Sequence, residues 1–280
     1  MAEERTGTLE GAGGVRVFFR GREVKVPRGR LFVAHGLGEH SGRYGLLAEA
    51  ITAAGLDFYA LDLRGHGRSA GRRGHANSLD RHLQDLDRLR RRVGGSRPPA
   101  PTFLLGHSLG GLIVGRYVQE FGFPGLAGAV LVAPFIELAM RPPAWKVRLG
   151  AVADRIAPAL SLDNELESED LFREPEERRS YDDDPLVHRR ISARLWGEML
   201  RNSERLSSGT ARVAVPVLVQ LPGEDRVVNS AATLRVVERL GDLAVVREYP
   251  DAYHALFHDP RAGEARTDVI HWLEDRLSNR

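Results

Sequence analysis

The sequence predicts an α/β fold: a mostly parallel, eight-stranded sheet with helices on both faces and a helical cap inserted late in the chain. Three observations carry this expectation. Short apolar runs bounded by Gly, Pro or Asp alternate with stretches of helical periodicity along most of the 280 residues. That is the pattern of parallel strands buried on both faces and joined by crossover helices. A Gly-x-Ser-x-Gly turn, running from Gly106 to Gly110, joins one such strand to one such helix. Finally, the connection from Ala133 to Val217 is far longer than the roughly 30 residues that a crossover helix and its loops require, so it holds an inserted unit.

Taken in order, residues 15–19 and 23–26 are short β-like runs and are expected to open the sheet antiparallel. Residues 31–35, 58–62, 102–105, 129–133, 217–221 and 244–249 are the expected parallel strands. Helices are expected over residues 43–54, 79–93, 109–121, 231–240 and 262–276. In the second of these, Leu79, Leu83, Leu86, Leu89 and Val93 fall on one helical face. Arg97-Pro98-Pro99-Ala100-Pro101 is a stiff surface connector rather than a domain linker. The divisions that follow are a first core part over 1–136, a cap over 137–207 and a second core part over 208–280. Within the cap, Trp145, Val147, Leu149, Val152, Ile156 and Leu160 make an amphipathic stripe. It is expected to pack on the domain below and, as a lid, to line the entrance to an apolar pocket. A strongly acidic segment over 163–177 and a helix around 191–200 follow it.

Composition narrows the function. The net charge of +2 gives no electrostatic case for nucleic acid. Only Lys25 and Lys146 are lysines among 40 basic residues, and the rest are arginine. The absence of cysteine excludes disulfides, thiolate metal ligands and a thiol nucleophile. The polar start of the chain lacks a signal-peptide core, and no run reaches the ~18 apolar residues of a membrane span, so a cytoplasmic protein is expected. No metal-ligand spacing stands out, and no Gly-x-Gly-x-x-Gly follows a strand, so neither a metal nor a dinucleotide cofactor is expected.

The chemistry is concentrated at the strand ends. Ser108 lies on the tight strand-to-helix turn, where the glycines at 106 and 110 avoid collisions with neighbouring backbone. A serine hydroxyl needs a base, and the base needs an orienting carboxylate. On an alternating α/β chain these follow in the order Ser, acid, His. Asp225 stands just after the apolar run 217–221 and is the expected acid, with Glu224 as its competitor. His254 stands after the last strand and is the expected base, with His258 as its competitor. The backbone N–H of Leu109, and that of Leu37 in the loop Ala34-His35-Gly36-Leu37-Gly38-Glu39-His40, are the expected oxyanion-hole donors. Asp62 and Arg64, in Asp62-Leu63-Arg64-Gly65-His66-Gly67-Arg68-Ser69, read as braces of a tight loop rather than as chemistry.

Four stretches together resemble one family: His35-Gly36-Leu37-Gly38-Glu39-His40-Ser41-Gly42-Arg43-Tyr44, Arg64-Gly65-His66-Gly67-Arg68-Ser69, Gly106-His107-Ser108-Leu109-Gly110-Gly111, and Tyr253-His254. They resemble the α/β-hydrolase superfamily, most closely its monoacylglycerol lipase branch of serine aminopeptidase-type, lysophospholipase-like hydrolases. The cap segment Tyr181-Asp182-Asp183-Asp184-Pro185-Leu186 also looks like that branch, and the likeness runs from about Val15 to the C-terminus. The resemblance implies the α/β-hydrolase fold, the triad Ser108, Asp225 and His254, and the donors Leu37 and Leu109. It further implies an acyl tunnel beneath the cap, with Glu39, Arg43, His107 and Tyr181 at its polar, alcohol-binding end. Eukaryotic members carry a second histidine three positions after the catalytic one. Phe257 stands there in this chain, so it is expected at the alcohol end with His258 one place on. The family's reactive cysteines are absent.

The expected function is that of a serine carboxylester hydrolase acting on lipid-like monoesters, foremost monoacylglycerols, through an acyl-enzyme on Ser108 and without a cofactor. A lysophospholipase or broad short-chain carboxylesterase is the alternative. A serine aminopeptidase would need an anionic site for the substrate amine, for which the acidic cap run 165–170 is the candidate. A non-catalytic binding module on this fold would be expected to have lost a member of the triad, and all three are present. The cap stripe, through Trp145, Leu149 and Val152, suggests transient contact with a membrane or micelle surface.

Overall fold

Alternate residues of the central strands go to opposite faces of one sheet, and both faces are covered. In the strand Arg30–Ala34, Leu31 and Val33 join the core on one face while Phe32 and Ala34 join the core on the other. A strand with no solvent-facing side reads as an unbroken apolar run, which is why these strands stand out in the sequence.

The computed structural model describes residues 3–122 and 125–278. The chain runs β1 (Glu3–Glu10), β2 (Arg16–Glu23), β3 (Arg30–Ala34), α1 (Gly45–Ala53), β4 (Asp57–Leu61), α2 (Asp80–Ser96), β5 (Thr102–His107), α3 (Leu109–Phe121) and β6 (Leu126–Val132). The insertion follows, with α4 (Ala144–Ile156), β7 (Ser161–Asp163), α5 (Ser168–Leu171), α6 (Pro175–Asp182), β8 (Arg190–Ser192) and α7 (Ala193–Ser208). The chain then closes with β9 (Val217–Pro222), α8 (Ser230–Val237), β10 (Ala244–Tyr249) and α9 (Ala262–Ser278). The eight-stranded sheet has the order β1-β2-β4-β3-β5-β6-β9-β10. Only β1 and β2 run antiparallel to their neighbours. The chain moves outward from β3 to β4 and then returns to β5 on the other side of β3. The carboxyl ends of β3 and β5 are thus adjacent at a topological switch point, where open α/β sheets place their sites.

The antiparallel opening lies elsewhere than expected. β2 pairs antiparallel with β1 and β4, not with residues 23–26, and it takes in residues 16–19 of the first expected run together with Glu23 of the second. As an edge strand, β1 keeps nearly all its side chains exposed, so it shows no apolar alternation. Past the end of β2, the Val24 N–H goes to the Asp57 carboxylate instead of a ladder.

The insertion is tied to the core by the segment between α6 and α7. The His188 N–H donates to the Gly38 carbonyl at 2.9 Å, and the Ser192 N–H to the Gly74 carbonyl at 2.8 Å. His40 meets Asp184 at 2.8 Å, and His75 meets the Ser192 hydroxyl at 2.8 Å. The same Ser192 hydroxyl caps α7 through the Leu195 N–H. α7 lies against α3 at Gly115, where a Cβ would sit 2.8 Å from Leu206. Beneath the insertion, Leu171, Phe172, Tyr181, Ile191, Leu195 and Met199 share the apolar core with Leu109 and Phe135.

The α4 stripe does not pack as expected. Trp145 is 61% exposed and Ile156 79%, and Val147, Leu149, Val152 and Leu160 are also exposed. The opposite face of α4 holds the helix in place, through Ala153 and through Asp154, which pairs with Arg194 and Arg201 at 2.6 and 2.8 Å. Among the described residues, no helix is long and apolar enough to cross a membrane.

Candidate active site

Ser108 occupies the junction of β5 and α3 with φ 53° and ψ −114°, a conformation that costs an L-residue energy and persists only where its surroundings enforce it. They do so here with backbone: the Ser108 N–H donates to Val132 and its carbonyl accepts from Leu112 and Phe135. The flanking glycines are obligatory. A Cβ at Gly106 would lie 2.1 Å from the Gly110 oxygen, and one at Gly110 would lie 2.0 Å from the Ala34 oxygen. The turn thereby lifts the hydroxyl above the sheet edge. Leu109, the first residue of α3, follows a strand, so its N–H has no helical carbonyl behind it. Across the switch point, a Cβ on Gly36 would sit 3.4 Å from the Ser108 Cβ, which places the Gly36–Leu37 peptide directly beside Ser108.

The loops after β9 and β10 bring a carboxylate and an imidazole together. Asp225 Oδ1 accepts from the N–H groups of Val227 and Val228 at 2.8 and 2.9 Å, leaving Oδ2 to meet His254 Nδ1 at 2.8 Å. Both side chains are all but sealed from solvent. The competitors lie elsewhere. Glu224 pairs with Arg173 at the surface at 3.1 Å, and His258 meets Glu177 of α6 at 2.9 Å.

The second histidine of the site, His107, packs its ring 4.9 Å from that of His254. Its Nε2 donates to the His254 carbonyl and its Nδ1 meets the Glu39 carboxylate, each at 3.1 Å. Both partners are acceptors, so the two bonds form together only on the doubly protonated ring. Burial opposes this charge, but the Glu39 hydrogen bond and charge outweigh it and raise the His107 pKa. Burial likewise works against the Glu39 carboxylate, and His107, through its hydrogen bond and charge, and Arg43 overcome it, holding the carboxyl well below its ordinary range. Glu39 Oε1 also accepts from the Gly36 N–H at 2.6 Å and the Tyr44 hydroxyl at 2.8 Å. Glu39 and His107 are therefore braces that connect the Gly36 loop to the His254 loop.

Arg43 lies 5.2 Å from the ring centroids of both Phe172 and Tyr181, which pack on each other 5.1 Å apart, with Glu39 at 3.9 Å and Glu177 at 3.6 Å. Of the residues expected at the alcohol end, the fold thus gathers Glu39, Arg43, His107 and Tyr181. Phe257 is the fifth residue expected there. It lies in the core on the α1 and α9 face, its ring edge-on to Tyr44, and His258 is the residue that meets the cap. The ring at 257 fills space beneath the loop because the short turn of 3₁₀ helix, Leu256–His258, points successive side chains in different directions. Sequence reasoning missed Phe172 and Glu177. Both fall in the acidic segment, where no periodicity marks a buried face, and their contacts with Arg43 exist only once the insertion has folded over the core.

Several carboxylates of that acidic segment are ion-paired. Glu165 pairs with Lys146 at 2.8 Å, Glu167 with Arg189, and Asp170 lies 4.0 Å from Arg226. In the adjoining loops the bracing residues behave as expected. Asp62 accepts from the Ser41 N–H and hydroxyl and from the Arg68 N–H. Arg64 grips buried Asp85 with two bonds of 2.9 and 2.8 Å.

Comparison with known proteins agrees with this geometry. Residues 25–261 match the family model described as serine aminopeptidase, S33. The chain is 33% identical to the monoacylglycerol lipase of Mycolicibacterium smegmatis over 96% of this chain and 97% of that protein. It is 32% identical to the Homo sapiens monoglyceride lipase over 91% of this chain and 84% of that one. The crystal structure of Paleococcus ferrophilus monoacylglycerol lipase superposes with a TM-score of 0.84 at 33% identity, covering 99% of both chains. With the strained serine turn, the parallel sheet and the inserted cap in place, this chain belongs to the serine aminopeptidase S33 family of α/β-hydrolases, in its monoacylglycerol lipase branch.

Proposed function

We propose that this chain is a serine carboxylester hydrolase that cleaves lipid-like monoesters, foremost monoacylglycerols, to a fatty acid and an alcohol. The observation that carries the reading is the strained turn that sets Ser108 next to His107, whose ring lies 4.9 Å from that of His254, itself sealed against Asp225. His254 takes the Ser108 proton as Oγ attacks the ester carbonyl carbon, and the Leu37 and Leu109 N–H groups receive the oxyanion. As the tetrahedral intermediate collapses, His254 returns that proton to the leaving alcohol. Water then attacks the acyl-enzyme with His254 as base, releasing the fatty acid and restoring the Ser108 hydroxyl. Asp225 fixes the imidazole with its Nδ1 proton inward and stabilises its cation. Glu39, Arg43, His107 and Tyr181 shape the polar end that takes the alcohol. The names carried by its relatives support the substrate class.

The exposed α4 face supports a second, compatible reading, in which the cap touches a membrane or micelle surface to collect acyl substrates. The test of the main reading is hydrolysis of a panel: monoacylglycerols of short to long chain, a diacylglycerol, a lysophospholipid and an amino-acid anilide. Monoacylglycerols are expected to lead and the diacylglycerol to fail. Ser108→Ala is expected to lose at least about a thousandfold in turnover and all labelling by a fluorophosphonate. If the lysophospholipid or the anilide leads, the substrate assignment is wrong, and if the variant keeps its rate, the nucleophile is wrong.

A further inference from the structure

The loop that carries Leu37 is held by a histidine that the reaction itself does not use. His35 is fully buried, and both its ring nitrogens are engaged. The Leu63 N–H donates to Nε2 at 2.9 Å, so Nε2 is an acceptor and the proton of the neutral ring lies on Nδ1. Nδ1–H then donates to the Gly36 carbonyl at 2.7 Å. That carbonyl and the Leu37 N–H are the two ends of one planar peptide unit, so fixing the oxygen on one side aims the N–H to the other. The unit lies against Ser108, since a Cβ on Gly36 would be 3.4 Å from the Ser108 Cβ. The neighbouring groups are also fixed: the Gly36 N–H goes to Glu39, and the Gly38 carbonyl accepts from the His188 N–H of the cap. Among the described residues, the Leu37 N–H itself makes no backbone hydrogen bond.

We propose that His35 is a positioning residue for ester hydrolysis: through the Gly36 carbonyl it orients the Leu37 N–H toward the oxyanion and strengthens it as a donor. The strengthening follows because a hydrogen bond accepted by an amide oxygen polarises the N–H of the same amide. The rings of His66, 5.3 Å away, and of His188 beyond it, 4.6 Å from His66, back the His35 ring and hold its plane. Burial opposes its protonation and so preserves Nε2 as an acceptor. The inference rests on the reading of Leu37 as an oxyanion donor.

Two variants separate the two bonds of the ring. His35→Asn can place an amide N–H where Nδ1 stands and so keep the bond to Gly36, while losing the bond to Leu63. His35→Gln can accept from Leu63 and loses the bond to Gly36. Both should lower the melting temperature. His35→Gln is expected to lose roughly 10- to 100-fold in kcat with KM within about twofold, approaching the loss of an oxyanion donor, and His35→Asn to recover most of that loss. Equal kcat in the two variants, or wild-type kcat in His35→Gln, overturns the proposal. Exchange of the Leu37 amide for a backbone ester tests the underlying reading alone. If that exchange leaves kcat unchanged, Leu37 is not an oxyanion donor and the inference falls with it. If it costs about 100-fold while His35→Gln costs nothing, only the positioning role falls. Nitrogen-15 NMR of the wild-type protein serves where variants fail to fold: the signal expected for His35 is a neutral ring protonated at Nδ1, and an Nε2–H tautomer or an imidazolium overturns the proposal.

Discussion

At Ser108 the chain stores strain where the chemistry is proposed, and the two flanking glycines make that possible. The conflict of a methyl group at Gly106 or Gly110 is with backbone oxygen atoms, which cannot move aside as a side chain can. Gly110→Ala is therefore expected to cost on the order of 4 kcal/mol or more, or to abolish soluble expression, as read by chemical denaturation. A variant with wild-type stability would mean that the elbow is not closed as described. Asp225 allows a sharper test. Its Oδ1 is saturated by two backbone N–H groups, so Asp225→Asn retains an oxygen for them but presents an NH₂ toward His254. The ring must then turn its proton to the wrong nitrogen. A kcat loss of about 10⁴-fold with near-wild-type folding is expected, while Glu224→Gln stays near wild type. Stopped assays on both variants decide it, and a Glu224→Gln loss of the same size would reverse the assignment. The three residues of the proposed triad were legible in the sequence because each follows its own apolar run, in the required order. Phe172 and Glu177 were not, because nothing local marks a residue whose role is to meet Arg43 across the fold.

Among the elements, legibility followed burial. The inner parallel strands are apolar on both faces and declare themselves within a residue or two, except that β6 begins three residues before the expected 129. β1 is exposed along most of its length, is held in place by the β2 ladder, and leaves no pattern to find. α4 shows the opposite failure: its apolar stripe was found, but periodicity alone does not say which side of a helix faces protein. The structure turns Trp145, Leu149 and Val152 outward and uses Ala153 and Asp154 as the anchor. Such an exposed apolar surface is suited to a lipid interface. The wild-type protein is expected to float with phosphatidylcholine–phosphatidylglycerol vesicles in a density gradient. A triple variant, Trp145→Ser with Leu149→Ser and Val152→Ser, is expected to stay behind at unchanged melting temperature, because exposed side chains contribute little to the fold. It should keep its rate on a water-soluble short-chain ester and lose rate on vesicle-borne monoacylglycerol. Equal flotation of the two proteins would sink the membrane reading without touching the esterase one.

The molecule as a whole carries an acid sensitivity written in its histidines. His35, His66, His82 and His188 all have lowered pKa values, and burial is the largest cause in each. The value is about 3 for His82 and about 4 for His188. An unfolded chain protonates such groups near pH 6.5, and the folded chain takes up the protons only at lower pH. Their contribution to stability is therefore complete above about pH 6.5 and is lost as the pH falls toward the folded values, at about 1.4 kcal/mol per pH unit for each proton. His107 runs the other way: its raised pKa gives stability that is present in acid and lost as the pH climbs through that raised value. It does not offset the other four below pH 6.5, where both its folded and unfolded forms are charged. The lowered Glu39 pKa adds to the acid loss, since its contribution fades below the ordinary carboxylate range. The melting temperature should accordingly change little near neutrality and drop steeply from about pH 6 to pH 4.5. His82 isolates the cause. It is buried in α2 with neither ring nitrogen hydrogen-bonded, so an apolar residue forfeits no bond there. His82→Leu is expected to match or exceed the wild type at pH 7 and to fall less between pH 6 and 5, because one of the refused protons is gone. Parallel melting curves for the two proteins across that range would locate the acid sensitivity in the carboxylates instead. A shallower curve for the variant would tie it to the buried rings that pack beneath the Gly36 loop and the cap.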